Sequence, residues 1–271
     1  MDNDVPTITC SAQEMVFLAG LLGADMLLGL EDPFWGWLAE EIEAAWQQAR
    51  EALAARRFIE VQPDGSIVMD VAVATLVGTC AFPEASFLLT VTPAGGAPTV
   101  RYFHLTRHLA VEQAPEPEGY RLTALEDPAS VFERVTAMLG LDDQPAAPGG
   151  SGRLRGTELT QARTLIEDSG PEAAQAALER AGLGSETAVA LTETLARPTR
   201  NGALVALARR EVTWEVAGMG LLEGENGLWR LRAFTRRGED WVEVIPCTAG
   251  EAREALRRVM DRVLPEPLPA A

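Results

Sequence analysis

The sequence predicts an α+β fold: two quasi-repeated halves, each with antiparallel strands and helices, forming one pseudo-symmetric molecule. Three observations carry this. The stretches Ala85 to Leu139 and Arg197 to Val263 share one order of strand, turn, long strand, turn, strand and helix. Hairpins sit next to one another between helical runs instead of alternating with them, which argues for antiparallel sheet over a doubly wound parallel one. One stretch, DDQPAAPGGSGRLRG, is rich in Pro, Gly and Ser. The expected organisation is therefore an N-terminal half over 1–142, a linker over 143–156 and a C-terminal half over 157–271.

In chain order, Thr7 to Cys10 reads as a short strand. Ser11 with Glu14 three residues later makes a capping box that opens a helix through MVFLAGLLG. Asp32-Pro33 restarts the helical pattern, since Pro suits a first helical turn. Trp35, Leu38, Ile42, Trp46, Ala49 and Leu53 then recur at intervals of three and four, so they are expected to share a buried face. Residues 58–61 and 66–69 flank Gln62-Pro63-Asp64-Gly65 as a small hairpin. Asp70 to Cys80 reads as a helix that ends before Pro83.

The first repeat unit follows: ASFLLTVTP, the AGGAP turn, TVRYFHLTRHLAVEQ as one long strand, the APEPEG turn, YRLTALED and the helix PASVFERVTAMLGL. Beyond the linker come three helical segments, TELTQARTLIED, PEAAQAALERAG and SETAVALTETLA, started or separated by Pro171, Gly182 and Gly184. The second unit is ARPTRNGALVALARR, then EVAGMGLLEGENGLWRLRAF with a tight turn at Glu225-Asn226-Gly227, then WVEVIPCT and the helix AGEAREALRRVMDRVL. A Pro-rich tail runs from Pro265.

The chain of 271 residues is 47% hydrophobic and 23% charged, enough to bury a sizeable core, and its net charge is −17. That charge opposes general affinity for nucleic acid phosphate or an anionic membrane surface. Every strong base is Arg, because the sequence contains no Lys, which removes Schiff-base and P-loop chemistry. Cys10, Cys80 and Cys247 are widely spaced and form no CxxC pair, so free thiols in a reducing compartment are expected. MDNDVPTITC is acidic, unlike a secretory signal, and MVFLAGLLGADMLLGL is interrupted by Asp25 and too short to cross a bilayer. No membrane insertion and a cytoplasmic location are expected.

No residue pattern demands catalysis, a metal or a cofactor. His104 and His108, on one strand, would stand about 13 Å apart, too far to share an ion, so they read as structural. The carboxylate pairs Glu40-Glu41, Asp142-Asp143 and Glu239-Asp240 fall on polar faces or in turns. A carboxylate-dependent enzyme stays open as a second alternative. The first is a winged-helix DNA-binding or regulatory protein, since a helix followed by a hairpin spans Trp37 to Asp70. Its helix, however, presents Glu40, Glu41 and Glu43 early and Arg50, Arg56 and Arg57 only late.

The hairpin of the second unit supplies candidate partner contacts: Trp214, Met219, Leu221, Leu222 and Trp229, large apolar side chains beside Gly turns. Core packing is the competing reading for all five, and Trp229 fits it best. Leu221 and Leu222 are adjacent and so point to opposite faces; one lies off the core unless both faces are covered. Arg230 and Arg232, with Arg236, form a basic stripe that suits either an acidic partner or cross-strand carboxylates such as Glu243.

TITCSAQEMVFLAGLLG, LAARRFIEVQPDGSIVMDVAVATLVGTCAFPEASFLLTVT, ARPTRNGALVAL and DWVEVIPCTAGEAREALRRVM together resemble the EspG family, the cytoplasmic chaperones of ESX (type VII) secretion. The resemblance runs over nearly the whole chain and is weakest between Gly152 and Pro198. It implies two quasi-equivalent halves and a non-catalytic protein that binds helical PE–PPE-like substrates before export, with no cofactor. In that family the C-terminal half contributes to substrate binding.

Overall fold

The computed structural model describes residues 5–125, 127–210 and 213–264. The Pro-rich tail from Pro265 and the first four residues lie outside them.

The first half comprises β1 (Thr7–Cys10), α1 (Ala12–Leu21), α2 (Ala39–Ala55), the hairpin β2 (Ile59–Val61) and β3 (Ile67–Met69), and α3 (Val71–Ala81). It continues through β4 (Ala85–Pro93), β5 (Thr99–Leu105), β6 (Ala110–Glu116), β7 (Gly119–Leu125) and α4 (Pro128–Leu139). The second half repeats the plan with β8 (Gly152–Arg155), then α5 (Gly156–Ser169), α6 (Pro171–Arg180) and α7 (Ser185–Ala196). Strands β9 (Pro198–Arg210), β10 (Thr213–Gly224), β11 (Gly227–Arg236) and β12 (Glu239–Pro246) and helix α8 (Ala249–Asp261) complete it.

Helix starts follow local chemistry. Ser11 Oγ accepts the Glu14 amide at 3.1 Å while the Glu14 carboxylate accepts the Ser11 amide at 2.8 Å. Thr248 and Glu251 make the same reciprocal pair at the start of α8, at 3.2 and 2.8 Å. Such caps satisfy amides that have no intrahelical partner and contribute about 1 kcal/mol each.

The strands form one ten-stranded antiparallel sheet in the order β1-β7-β6-β5-β4-β9-β10-β11-β12-β8, with β2-β3 apart. Read outward from the β4–β9 pair, the two sides carry equivalent strands, so a pseudo-dyad lies between them. Register there runs from Ala85 opposite Ala208 to Pro93 opposite Arg200. Both halves are thus α+β units that share a single sheet.

Strand alternation assigns the sheet two faces. On the front, Phe87, Leu89, Phe103, Leu204, Ala206, Met219 and Leu221 pack under Val131 and Val135 of α4 and Leu256 and Met260 of α8. On the back, a second core joins Leu122 and Val111 to α1 and α3 at the N-terminal end. A third joins Leu222, Trp229 and Val244 to α5–α7 at the C-terminal end. Each fully buried aliphatic side chain contributes roughly 1.5–3 kcal/mol over its exposed state.

Three sequence expectations are corrected. TVRYFHLTRHLAVEQ is a hairpin, β5 and β6, because the Thr106 hydroxyl accepts the His108 and Leu109 amides at 3.3 and 3.2 Å and closes a turn. His104 is therefore buried in β5, while His108 is exposed in that turn. Secondly, α2 begins at Ala39: Asp32 accepts the Phe34 amide at 2.9 Å and sets a chain of turns instead of a helix. Its buried stripe is Ala45, Ala49 and Leu53, the two alanines letting α2 approach α1; Trp46 lies outside that stripe, Trp35 and Leu38 precede the helix, and all three are exposed.

Thirdly, the Pro/Gly/Ser-rich stretch is not a free linker. Leu228 donates to Pro145 O at 3.0 Å, Ala249 donates to Gln144 O at 3.0 Å, and residues 152–155 form β8 against β12. Gly227, at φ 131°, permits this seam, since a Cβ there would stand 2.6 Å from the Ala147 nitrogen.

Candidate functional site

The helical blocks cover the two ends of the back face and leave its middle open. Across β4, β9 and β10 the register aligns Ser86 with Leu207 and Val216, Leu88 with Val205 and Gly218, and Thr90 with Ala203 and Gly220. Trp214 precedes Val216 on the same face, two residues earlier in β10. Val216 is 63% exposed and Trp214 49%, while Leu88, Val205 and Leu207 are half-buried. Gly218 and Gly220 put no side chain on the strip, so a partner can approach the β10 backbone closely. The result is a flat apolar strip with an aromatic at one end.

Its floor is fixed by a buried polar relay. His104 lies between Ser86 Oγ, 3.0 Å from Nδ1, and Gln113 Oε1, 3.1 Å from Nε2. Both contacts are satisfied when Nε2–H donates to Gln113 and Nδ1 accepts from the Ser86 hydroxyl. Gln113 passes its own N–H to Gly29 O at 3.4 Å, tying the segment after α1 to the sheet. Burial pushes the imidazole down to about 4, which keeps it neutral at ordinary pH; the Gln113 hydrogen bond opposes that shift. Tyr102 stacks on His104 with ring centroids 6.3 Å apart. With Gly29, Leu30, Glu31 and Tyr120 it lines a side cleft of about 380 Å³. At the other block, Pro171, Glu193, Arg197 and Asn226 line a cleft of about 480 Å³.

The structure separates the residues singled out from sequence. Trp214 stands on the open strip. Met219 and Leu221 are buried in the front core, and Leu222 and Trp229 in the C-terminal back core, where Trp229 Nε1 donates to Thr194 Oγ1 at 3.1 Å. These four present no surface to a partner, because α4 and α8 cover Met219 and Leu221 on the front and α5–α7 cover Leu222 and Trp229 on the back. Arg230 and Arg232 point to the front face. Arg232 meets Glu243 at 2.6 Å, and Arg153 approaches the same carboxylate at 2.9 Å, so the basic stripe is partly neutralised within the sheet. Val216, Val205, Leu207 and Leu88 escaped notice, although Trp214, Val216 and Gly218 share a parity opposite to Ala217, Met219 and Leu221. That alternation was the available signal.

Cys10 and Cys247 thiols are raised by burial to about 12 and about 11, and burial also raises that of Cys80. Glu112 is a buried carboxylate locked between Arg101 at 3.3 Å and Arg134 at 3.0 Å. Among the described residues, no three His, Cys, Asp or Glu side chains gather as a metal site. No helix among them is long and apolar enough to cross a membrane. In the helix-plus-hairpin segment, α2 exposes Glu40, Glu41, Glu43 and Glu51, and Arg56 is held by Glu14 at 2.6 Å, a poor surface for phosphate.

No family model and no curated protein matches the sequence. The fold is similar to that of the type VII secretion system chaperone EspG5 from Mycobacterium tuberculosis, solved in complex with a PE25–PPE41 dimer. The TM-score is 0.64, with 17% identity over 97% of this chain and 98% of that one. HtdX from the same organism aligns at a TM-score of 0.15 and 13% identity over 89% of this chain and 98% of that one, which is no likeness of fold.

Proposed function

We propose that this chain is a non-catalytic binding protein, a chaperone of the type VII secretion kind, that holds a helical PE–PPE-like client on the open back-face strip in the cytoplasm. The observation that carries this is the exposed pair Trp214 and Val216, set beside Gly218 and Gly220 in the middle of a sheet otherwise covered by helices. An apolar strip without side-chain relief suits the packing of a helix, with Trp214 as anchor. The fold likeness to EspG5, solved with a PE25–PPE41 dimer, supports the class of client.

In this reading Trp214 touches the client. Met219 and Leu221 support the strip from the front of the sheet, Leu222 and Trp229 seat the C-terminal helical block beside it, and Arg230 and Arg232 serve the front face. The chain divides functionally at 143–156, and each half supplies one helical block as a wall of the groove.

The test is site-specific photo-crosslinking in the native host. A photoreactive residue at 216 is expected to capture one helical secreted protein, while the same residue at Val71, 79% exposed on α3, captures none. Equal capture from both positions, or none from 216, would overturn the reading.

A further inference from the structure

A second apolar surface lies away from the strip, on the segment between α1 and α2 and the outer side of α2. Trp35 is 88% exposed, Met26 81% and Leu38 68%, and Trp37 and Trp46 are also exposed. They are not loose. Trp37 packs edge-on against buried Phe34 with centroids 5.7 Å apart, and Trp46 likewise against Phe17 at 6.3 Å. Three outward tryptophans within twelve positions are costly to leave in water, and such aromatics concentrate binding energy at protein interfaces.

Beside them runs a cleft of about 680 Å³ between the start of α1 and α2. Its α2 wall is Glu41, Ala44, Ala45, Gln48, Ala49 and Ala52, and Trp37 also lines it. Short side chains there leave room for a large apolar side chain from outside.

Charge identifies the occupant. From Leu21 to Ala49 the charged residues are Asp25, Glu31, Asp32, Glu40, Glu41 and Glu43, and no Arg or His occurs. All six are exposed, and the first base on α2 is Arg50. A second copy meeting the patch across a dyad would set these carboxylates against themselves. The stretches MDND and PEPLPAA carry acids and no base. An anionic bilayer is repelled as well.

We propose that this surface docks a basic amphipathic helix of another protein, its apolar face on Trp35, Leu38 and the alanine-lined cleft, and its Arg or Lys borders against Glu40 and Glu43. The proposal stands apart from the client reading, since it uses no residue of the strip.

The probe is a synthetic amphipathic helix with Leu on one face and Arg along its borders, compared by fluorescence anisotropy with an isomer bordered by Glu. The full chain is expected to bind the Arg form at least about tenfold more tightly, with affinity falling as salt rises. Trp35→Ser with Leu38→Ser, and separately Glu40→Arg with Glu43→Arg, should each lower affinity by about tenfold or more. Val216→Asp should leave it unchanged, which separates this surface from the strip. All four positions are exposed, so circular dichroism should match the parent. Equal affinity for the two peptides, or undiminished binding by either double variant, overturns the proposal. So does sedimentation showing a dimer that the Trp35→Ser, Leu38→Ser variant abolishes, which would make a second copy the occupant.

Discussion

Leu221 and Leu222 are consecutive in β10, yet Leu221 is buried beneath α4 and α8 on the front of the sheet and Leu222 beneath α5–α7 on the back. Their exposures, 6% and 5%, are nearly equal. At this level the sheet is a middle layer with helices on both sides. Along the same back face the side chains shrink to Gly220 and Gly218, and Val216, six residues before Leu222, emerges 63% exposed. The boundary between core and open strip therefore falls within one strand.

Leu221→Ala and Leu222→Ala are each expected to cost about 2–5 kcal/mol, the range for emptying a buried leucine site. Because the two side chains enter different cores, the double variant should fall within about 0.5 kcal/mol of the sum. Urea unfolding of the four proteins checks this. Strong non-additivity would show that the cores communicate through β10.

His104 gives a pH dependence of definite sign. Its unfolded value is near 6.5 and its folded value about 4, so the unfolded chain binds the extra proton first as pH falls. Stability from this group is complete above about pH 6.5 and is lost progressively down to about pH 4, by roughly 3 kcal/mol at most. In a His108→Gln variant, which has a single imidazole, NMR should show a neutral ring down to about pH 5. Titration near 6.5 would contradict the relay with Ser86 and Gln113.

Glu243 is held below the ordinary carboxylate range: burial pushes it up, but the Arg153 hydrogen bond and the charges of Arg232 and Arg153 outweigh that. Its contribution is present above the unfolded carboxylate value and is lost as pH falls through the folded one. Glu243→Gln should destabilise by about 1–3 kcal/mol, the cost of losing hydrogen bonds to charged groups. Chemical unfolding at neutral pH measures it, and an unchanged midpoint would mean the two arginines find water equally well.

The repeat was legible because each half punctuates its hairpins with Gly and Pro and closes with an amphipathic helix. What one strand pattern cannot convey is its neighbour. Nothing in ASFLLTVTP or GALVALARR states that β4 pairs with β9, the contact that merges the halves and creates the strip. The same limit explains Trp35, Leu38 and Trp46: helical spacing suggested one buried stripe, and its members Ala49 and Leu53 are buried, but Ala45 takes the place of Trp46 and the helix starts only at Ala39, after Trp35 and Leu38. Of the five apolar residues singled out from the sequence, only Trp214 is exposed. Met219, Leu222 and Trp229 have the same apolar chemistry, and only the placement of α4, α8 and α5–α7 decides which of them face water. The basic stripe at Arg230 and Arg232 was visible, and its carboxylate partner Glu243 could be named from the sequence because strand order within one hairpin is local.

The most direct test of the central claim is quantitative co-purification from the native host, comparing tagged parent protein with Val216→Asp, a change at an exposed position that leaves the core intact. The parent should elute with a helical secreted protein in near-stoichiometric amount, and Val216→Asp should lose it while keeping the parent's unfolding midpoint. Retention of the same partner by Val216→Asp, or elution of the parent chain alone at native expression, would contradict the assignment of the strip as the client surface.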